Sequence, residues 1–199
     1  ETCFEALERA CRQKGVLLTS DGAGGVLITR PGTARAKTIL EQGQNIIQAA
    51  STFDHVDRFS NYKVKGQSSK FDGEVDPVFS FQIQATATDP NVKRFRPMLI
   101  VSEGLATNEL AKNRAQWEST NRAAKSGKFK VQVQGWKQGD GSLWRPNQLV
   151  RVRSKWLGLD DDLLAVTVQM NLSDNGGTTT EINLERKDAY TPEPIISEK

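Results

Sequence analysis

Residues 168–190, VQMNLSDNGGTTTEINLERKDAY, constrain the fold more than any other stretch of the chain. Two alternating runs flank a glycine turn, the pattern of a β-hairpin with one apolar face. Val166, Val168, Met170 and Leu172 on the first arm are all even-numbered, and so are Thr178, Thr180, Ile182 and Leu184 on the second. Side chains alternate across a strand, so each row shares a face. Both rows lie on the same face of the hairpin only if opposed residues have numbers that sum to an even total. A three-residue loop over Asn175, Gly176 and Gly177 meets that condition, as a type I turn followed by a glycine in the left-handed region. This register opposes Val168 to Leu184 and Met170 to Ile182. A two-residue Asn-Gly turn sets Met170 against Glu181 and is rejected. The hairpin has one face that must be covered.

The covering elements are sought along the rest of the chain. Thr2 and Glu5 form a capping box, Phe4, Leu7 and Cys11 repeat at helical spacing, and Gly15 ends that helix. VLLTSDGAGGVLITRPG reads as a hairpin, 16–19 with 26–30. Its Gly22, Gly24 and Gly25 precede a strand and lack a following Gly-Lys-Ser/Thr, so they make a turn and not a phosphate loop. Residues 43–67 read as two strands joined near 54–58. In VFSFQIQATA the odd row Phe79, Phe81 and Ile83 is apolar, and RFRPMLIVSEG reads as an edge strand because Pro97 cannot donate to a ladder. A second helix is expected over 107–126, with a thin seam of Leu110, Trp117 and Ala124 beside Ala111 and Ala115. Glu118 and Arg122 should form an exposed pair on it. FKVQVQGW and QLVRVRSKW are further strands, and the closing TPEPIISEK is expected to be loose. Short strands with regular turns, each apolar on one face, close into a small barrel or sandwich.

The fold class expected is therefore α+β, mainly β, with a small antiparallel β-barrel plus an α/β subdomain. The α/β subdomain should span 1–67, an irregular connection 68–107, the helix and barrel 108–190, and a tail 191–199.

Chemistry is sparse. The chain has 199 residues, a net charge of +3 and 37% hydrophobic content, so neither nucleic acid nor an anionic membrane is implied by charge alone. No apolar run approaches the roughly 20 residues of a membrane-spanning helix. The chain opens on ETCFEALERACRQKG with neither an initiator Met nor a signal peptide, which suggests a processed or excised piece of a longer protein. Cys3 and Cys11 lie eight residues apart on one helix, roughly 12 Å by the helical rise, too far for a disulfide. They are read as reduced thiols of an intracellular site of synthesis.

His55 is the one histidine, in FDHVD, without a nucleophile elbow or cysteine motif, and is read as an exposed turn residue. Asp160, Asp161 and Asp162 read as a solvated hairpin tip, without the alternating ligands of a calcium loop. Arg151, Arg153 and Lys155 alternate with Val150, Val152 and Ser154, the pattern of a solvent-facing strand row rather than a nucleic-acid platform. Trp136, Trp144 and Trp156 are expected to cap barrel ends or pack under loops. No catalytic, cofactor-binding or metal-ligating residue is expected, and no cofactor.

Arg114 with Trp117 and Glu118, Gln134-Gly135-Trp136, Leu143-Trp144, Pro146-Asn147, Gly176-Gly177-Thr178-Thr179 and Ala189 occur in an order and spacing that resembles the tail hub proteins of Mu-like contractile phages. NYKVKGQ and the opening 30 residues are similar to that family as well, so the resemblance covers nearly the whole chain. It implies a structural baseplate hub component of a contractile phage or prophage tail, without enzymatic activity. As a ring-forming adaptor of small β-barrels, it would join tail tube to central spike. It also implies a homotrimer in the full-length protein, partners in the tube and spike proteins, no membrane and no nucleic acid. Its place would be the virion tail baseplate, after assembly in the host cytoplasm. Family members carry an N-terminal region before the segment that opens this chain, which implies a fragment. Two alternatives stay open, a tail-associated peptidoglycan hydrolase and a single-strand nucleic-acid-binding β-barrel.

Overall fold

A computed structural model describes residues 2–13, 16–20, 24–68, 70–71, 74–75, 81–105, 107–174 and 176–194. Two helices and fourteen strands occur among them: α1 (Cys3–Gln13), β1 (Leu17–Ser20), β2 (Val26–Thr29), β3 (Ala34–Arg35), β4 (Leu40–Glu41), β5 (Ile46–Phe53), β6 (Asn61–Ser68), β7 (Lys70–Phe71), β8 (Glu74–Val75), β9 (Phe81–Thr88), β10 (Pro97–Leu105), α2 (Asn108–Lys125), β11 (Gly127–Gln134), β12 (Gln148–Ser154), β13 (Leu159–Ser173) and β14 (Gly177–Glu185). A short 3₁₀ turn, Lys187–Tyr190, follows. The architecture is α+β and mainly β, as the sequence implies.

The chain divides into two compact units that do not follow chain order. One comprises 1–54 and 124–192, the other 55–123 and 193–199. The consecutive segments 1–67, 68–107 and 108–190 read from the sequence are thus composed differently in space. The reason lies in β5 and β6, which the sequence presents as a joined pair. β5 pairs with β11, whereas β6 pairs with β9 and β10, so the chain leaves one sheet as it enters the other.

The first unit is built on a seven-stranded sheet in the order β3-β12-β13-β14-β11-β5, with β4 also on β12. β3 and β4 run parallel to β12, and the other neighbours are antiparallel. The described ladders form an open path, and one isolated bridge, Gln42 to Ile46, joins the segments at its two ends. Period-two patterning sends one row of each strand inward. Phe129, Val131 and Val133 of β11, Val150 and Val152 of β12, and Ile182 and Leu184 of β14 are buried with Leu40, Trp144 and Leu163 in one apolar cluster. Full burial of each such side chain stabilises the fold by about 1.5–3 kcal/mol.

The β13–β14 hairpin has the expected parity but a different register. Val168 faces Ile182, Met170 faces Thr180 and Ser173 faces Gly177, so every pair sits two residues from the expected one. The loop is still three residues long, over 174–176, and Gly177 takes a left-handed φ of 62° just after it. A register shift between Ala165 and Thr167 changes which residues of β13 point inward: Leu163 and Ala165 join the buried cluster before it, and Val168 packs against that cluster after it. The expected burial of the distal row is corrected accordingly. Met170 is 38% and Leu172 71% exposed, because β12 accompanies β13 only as far as Leu164.

Two loops are held by specific side chains. Asn147, the one non-glycine among the described residues with positive φ, accepts from the Gly32 amide through Oδ1 at 2.9 Å. Its Nδ2 donates to the Arg30 carbonyl at 3.0 Å and to Thr29 Oγ1 at 3.3 Å. Gly32 has φ 66°, and a Cβ there would meet the Leu149 side chain at 2.9 Å, so both backbone and space require glycine. At the amino end the capping box forms as expected: the Thr2 amide donates to Glu5 at 2.7 Å and the Glu5 amide to Thr2 Oγ1 at 3.3 Å. Gly15 lies outside the described residues. The β1–β2 hairpin is antiparallel as expected, and its turn at 21–23 also lies outside them.

In the second unit a three-stranded sheet, β10-β6-β9, has one face packed by α2. Val64, Ile83, Ala85 and Ala87 meet Ala111 and Ala115 there. Ile83, Ala85 and Ala87 of the odd row of β9 are buried, and β10, starting at Pro97, is an edge strand, both as expected. Phe79 lies outside the described residues. Glu118 is corrected from exposed to 5% exposed: Arg114 donates to its Oε1 at 2.8 and 3.2 Å, and Arg122 to its Oε2 at 2.7 Å. Glu193 pairs with Arg114, and residues 195–199 of the expected loose tail lie outside the described residues.

Candidate functional site

The densest polar constellation lies on the outer face of β12 and β13. Val150 and Val152 are fully buried, so strand alternation sends Arg151 and Arg153 outward, as the sequence pattern implies. Opposite them the run Asp160, Asp161, Asp162 is strand and not hairpin tip, which corrects the sequence reading. The turn is 155–158, and Asp160 and Asp162 stand directly across from Arg153 and Arg151. Opposed unlike charges stabilise such a pairing, whereas at a tip the three carboxylates would only repel one another.

Distances give the ladder its detail. Arg151 Nη2 donates to Asp160 Oδ1 at 2.6 Å and reaches Asp162 at 3.9 Å, and Arg153 Nε lies 3.7 Å from Asp160. Arg35, contributed by β3, forks onto Asp162 with bonds of 3.0 and 2.5 Å. The hydrogen bonds and field of Arg35 hold the Asp162 carboxyl below the usual carboxylate range, and the same pair raises the Arg35 guanidinium. Arg35 was missed in the sequence, since its partner lies 127 residues away and no local pattern marks it.

The other sequence candidates are dispersed. His55 is exposed in the loop that opens the second unit, where its carbonyl accepts from Arg96 at 3.2 Å. Arg96 also donates to the carbonyls of Val56 and Arg58 and lies 4.5 Å above the Phe59 ring. Arg58 forks onto the buried Asp89 at 2.9 and 3.1 Å, so this loop is a pinned element. Trp136 donates its indole N–H to the Asn171 carbonyl at 3.0 Å, and Trp144 is core. Trp156 does not pack under a loop as expected but stands 72% exposed at the β12–β13 turn. Cys3 is exposed and Cys11 buried, both as free thiols. Among the described residues, no three His, Cys, Asp or Glu side chains gather within metal-binding reach, and no helix is long and apolar enough to cross a membrane.

The arrangement offers fixed charges and apolar surface for contact. In the first unit Phe4 and Leu7 of α1 and Val26, Leu27 and Ile28 of β2 are exposed. In the second, Leu99 and Val101 are exposed on the β10 edge, as is Phe95 nearby in sequence. Single exposed apolar residues are ordinary, but runs of them on edge strands mark surfaces of contact.

Comparison with known proteins agrees with that character. Residues 107–193 match the model of the Mu phage baseplate assembly protein GpP, fourth domain, and residues 1–30 that of the baseplate hub protein gp44-like, second domain. Baseplate hub protein gp44 of Escherichia phage Mu is 37% identical over 204 residues, covering 100% of this chain and 53% of that protein. The crystal structure of the 43 kDa tail protein of prophage MuSo2 from Shewanella oneidensis superposes with a TM-score of 0.80 at 34% identity, over 98% of this chain and 55% of that one. The tail protein of Neisseria meningitidis MC58 shares the fold, with a TM-score of 0.74 at 22% identity over 97% of this chain and 57% of that one. The chain spans about half the length of these relatives. The resemblance read from the sequence is thereby borne out.

Proposed function

This chain is built of Mu-like baseplate hub domains, and on that premise we propose that it serves as a structural part of the baseplate hub of a contractile phage or prophage tail. The observation that carries the reading is the 37% identity to a baseplate hub protein, which runs through the whole chain rather than through one motif. In the full-length protein three copies form a ring that joins the tail tube to the central spike. Such a ring is closed by heterologous contacts, one face of each copy meeting a different face of the next. The seven-stranded sheet curls into a small barrel, a reading supported by the Gln42–Ile46 bridge between segments at the two ends of its ladder. A closed sheet has few free edges and suits a part that holds its shape under load. The protein works without chemistry of its own, is assembled in the host cytoplasm and resides in the virion tail baseplate.

Purified tails test this directly. Mass spectrometry should find the full-length protein as a stoichiometric component, and labelled antibody should decorate the baseplate end in electron micrographs. Intact, infectious tails lacking the protein would overturn the reading, as would clearing of a peptidoglycan gel by the protein that is lost on substitution of one acidic residue.

A further inference from the structure

The edge of the large sheet is interrupted beside β12. β3 and β4 are two-residue pieces, and residues 36–39 arch between them. Both ends of the arch are fixed to β12, by the Ala36 amide on the Leu149 carbonyl at 2.8 Å and the Gln42 amide on the Arg153 carbonyl at 2.9 Å. Its middle is held by the 138–139 loop, where Gln138 Oε1 accepts from the Lys37 amide at 2.9 Å and Thr38 Oγ1 from the Gly139 amide at 2.6 Å. Under the arch lies an open cavity of about 530 Å³, lined by Arg35, Lys37, Ile39, Arg151, Arg153 and Asp162. A cavity of this size, preformed by backbone hydrogen bonds, requires little ordering when a ligand enters.

The charges inside are unevenly satisfied. Arg35 and Arg151 are occupied by Asp162 and Asp160. The Arg153 guanidinium meets Asp160 only at 3.7 Å, and the Lys37 ammonium acts on Asp140 through its field. We propose that this groove binds side-chain carboxylates of an acidic peptide segment on a protein partner. Arg153, whose contact with Asp160 is long, and Lys37, whose ammonium makes no hydrogen bond among the described residues, supply the donors, while Arg35 and Arg151 stay committed to Asp162 and Asp160.

Two features favour a peptide over a nucleic-acid strand. Asp160 and Asp162 stand in the row where a strand would have to place a phosphate at every nucleotide, whereas a peptide can space its carboxylates and set an apolar side chain against the 40% exposed Ile39. No aromatic ring lines the groove to stack a base. The inference does not depend on the hub reading: a groove that binds peptide is compatible with any assembly, and a hub without it still assembles through other faces.

Fluorescence anisotropy on the whole chain tests it, with a labelled peptide of about eight alternating Glu and Ala residues and an oligothymidylate of about the same length, at low salt. The peptide should bind saturably with a Kd of about 0.1–1 mM, as expected for a few partly screened ion pairs. The double variant Arg153→Gln, Lys37→Gln should weaken binding at least about fivefold, and Lys63→Gln in the second unit should change it less than about twofold. Absence of saturable peptide binding, equal binding by the double variant, or tighter binding of the oligothymidylate would each overturn the proposal. The two substituted side chains hold no hydrogen bond of the described fold, so the variant should give an unchanged circular dichroism spectrum and thermal midpoint.

Discussion

Asn147 shows how much a single side chain can hold. Its left-handed φ of 62° places the amide between Gly32, Arg30 and Thr29, and an Ala there would lose the three bonds and strain the backbone at once. Asn147→Gly, which keeps the φ, should cost about 1–2 kcal/mol in urea unfolding, and Asn147→Ala about 1 kcal/mol more. An Ala variant as stable as the Gly variant would show that the conformation carries no cost. Tyr190 gives a pH dependence of definite sign. Burial, then the charge of Glu185 and its hydrogen bond, raise the phenol above its ordinary value of 10. A raised folded pKa favours the fold fully below the unfolded pKa and is lost as pH rises through the folded one. Stability should therefore fall from about pH 10 upward, and Tyr190→Phe should flatten that alkaline limb. The acidic limb has the opposite sign: Asp162, depressed by Arg35, favours the fold above about pH 4 and loses its contribution as pH falls through its lowered pKa.

Elements show which parts of the fold are legible from residues alone. Parity survives in β11, β12 and β14: Phe129, Val131 and Val133, Val150 and Val152, and Ile182 and Leu184 all point inward as alternation requires. Register does not survive, because Ser173 and Gly177 close the loop rather than Asp174 and Thr178. A three-residue loop fits either placement, and both keep the same faces. The shift near Val166 is equally silent in the sequence, since a bulge moves a row without changing any residue type. Asp160–Asp162 misled for a different reason. A carboxylate run reads as solvated turn until its partners, Arg151 and Arg153, are known to lie across from it. These distinctions are measurable. Leu184→Ala, in the buried cluster of the sheet, should cost about 2–5 kcal/mol. Leu172→Thr, past the end of β12, should change stability by less than about 0.5 kcal/mol by the same measurement. Equal losses would mean that the distal arm is covered after all. In α2, Glu118→Gln removes the anion that two guanidiniums share and should cost about 3 kcal/mol.

At the scale of the whole molecule the order of the chain and the order of the units part company. The first unit is interrupted by residues 55–123, yet the interruption starts and ends at neighbouring points: the Asp54 amide donates to the Ser126 carbonyl at 2.8 Å, beside the last ladder pair of Phe53 with Gly127. Replacing 55–123 with a linker of about four glycine and serine residues should therefore leave a folded sheet with one cooperative unfolding transition. The family resemblance was legible because it rests on residue order along the chain, which folding does not disturb. The candidate charged site was legible only in half, as Arg151, Arg153 and the aspartates, because Arg35 reaches it through the tertiary fold. The proposed ring is open to multi-angle light scattering on the protein extended to its relatives' full length. A mass of three protomers should persist across the micromolar range, and a single-protomer mass throughout that range would rule the ring out.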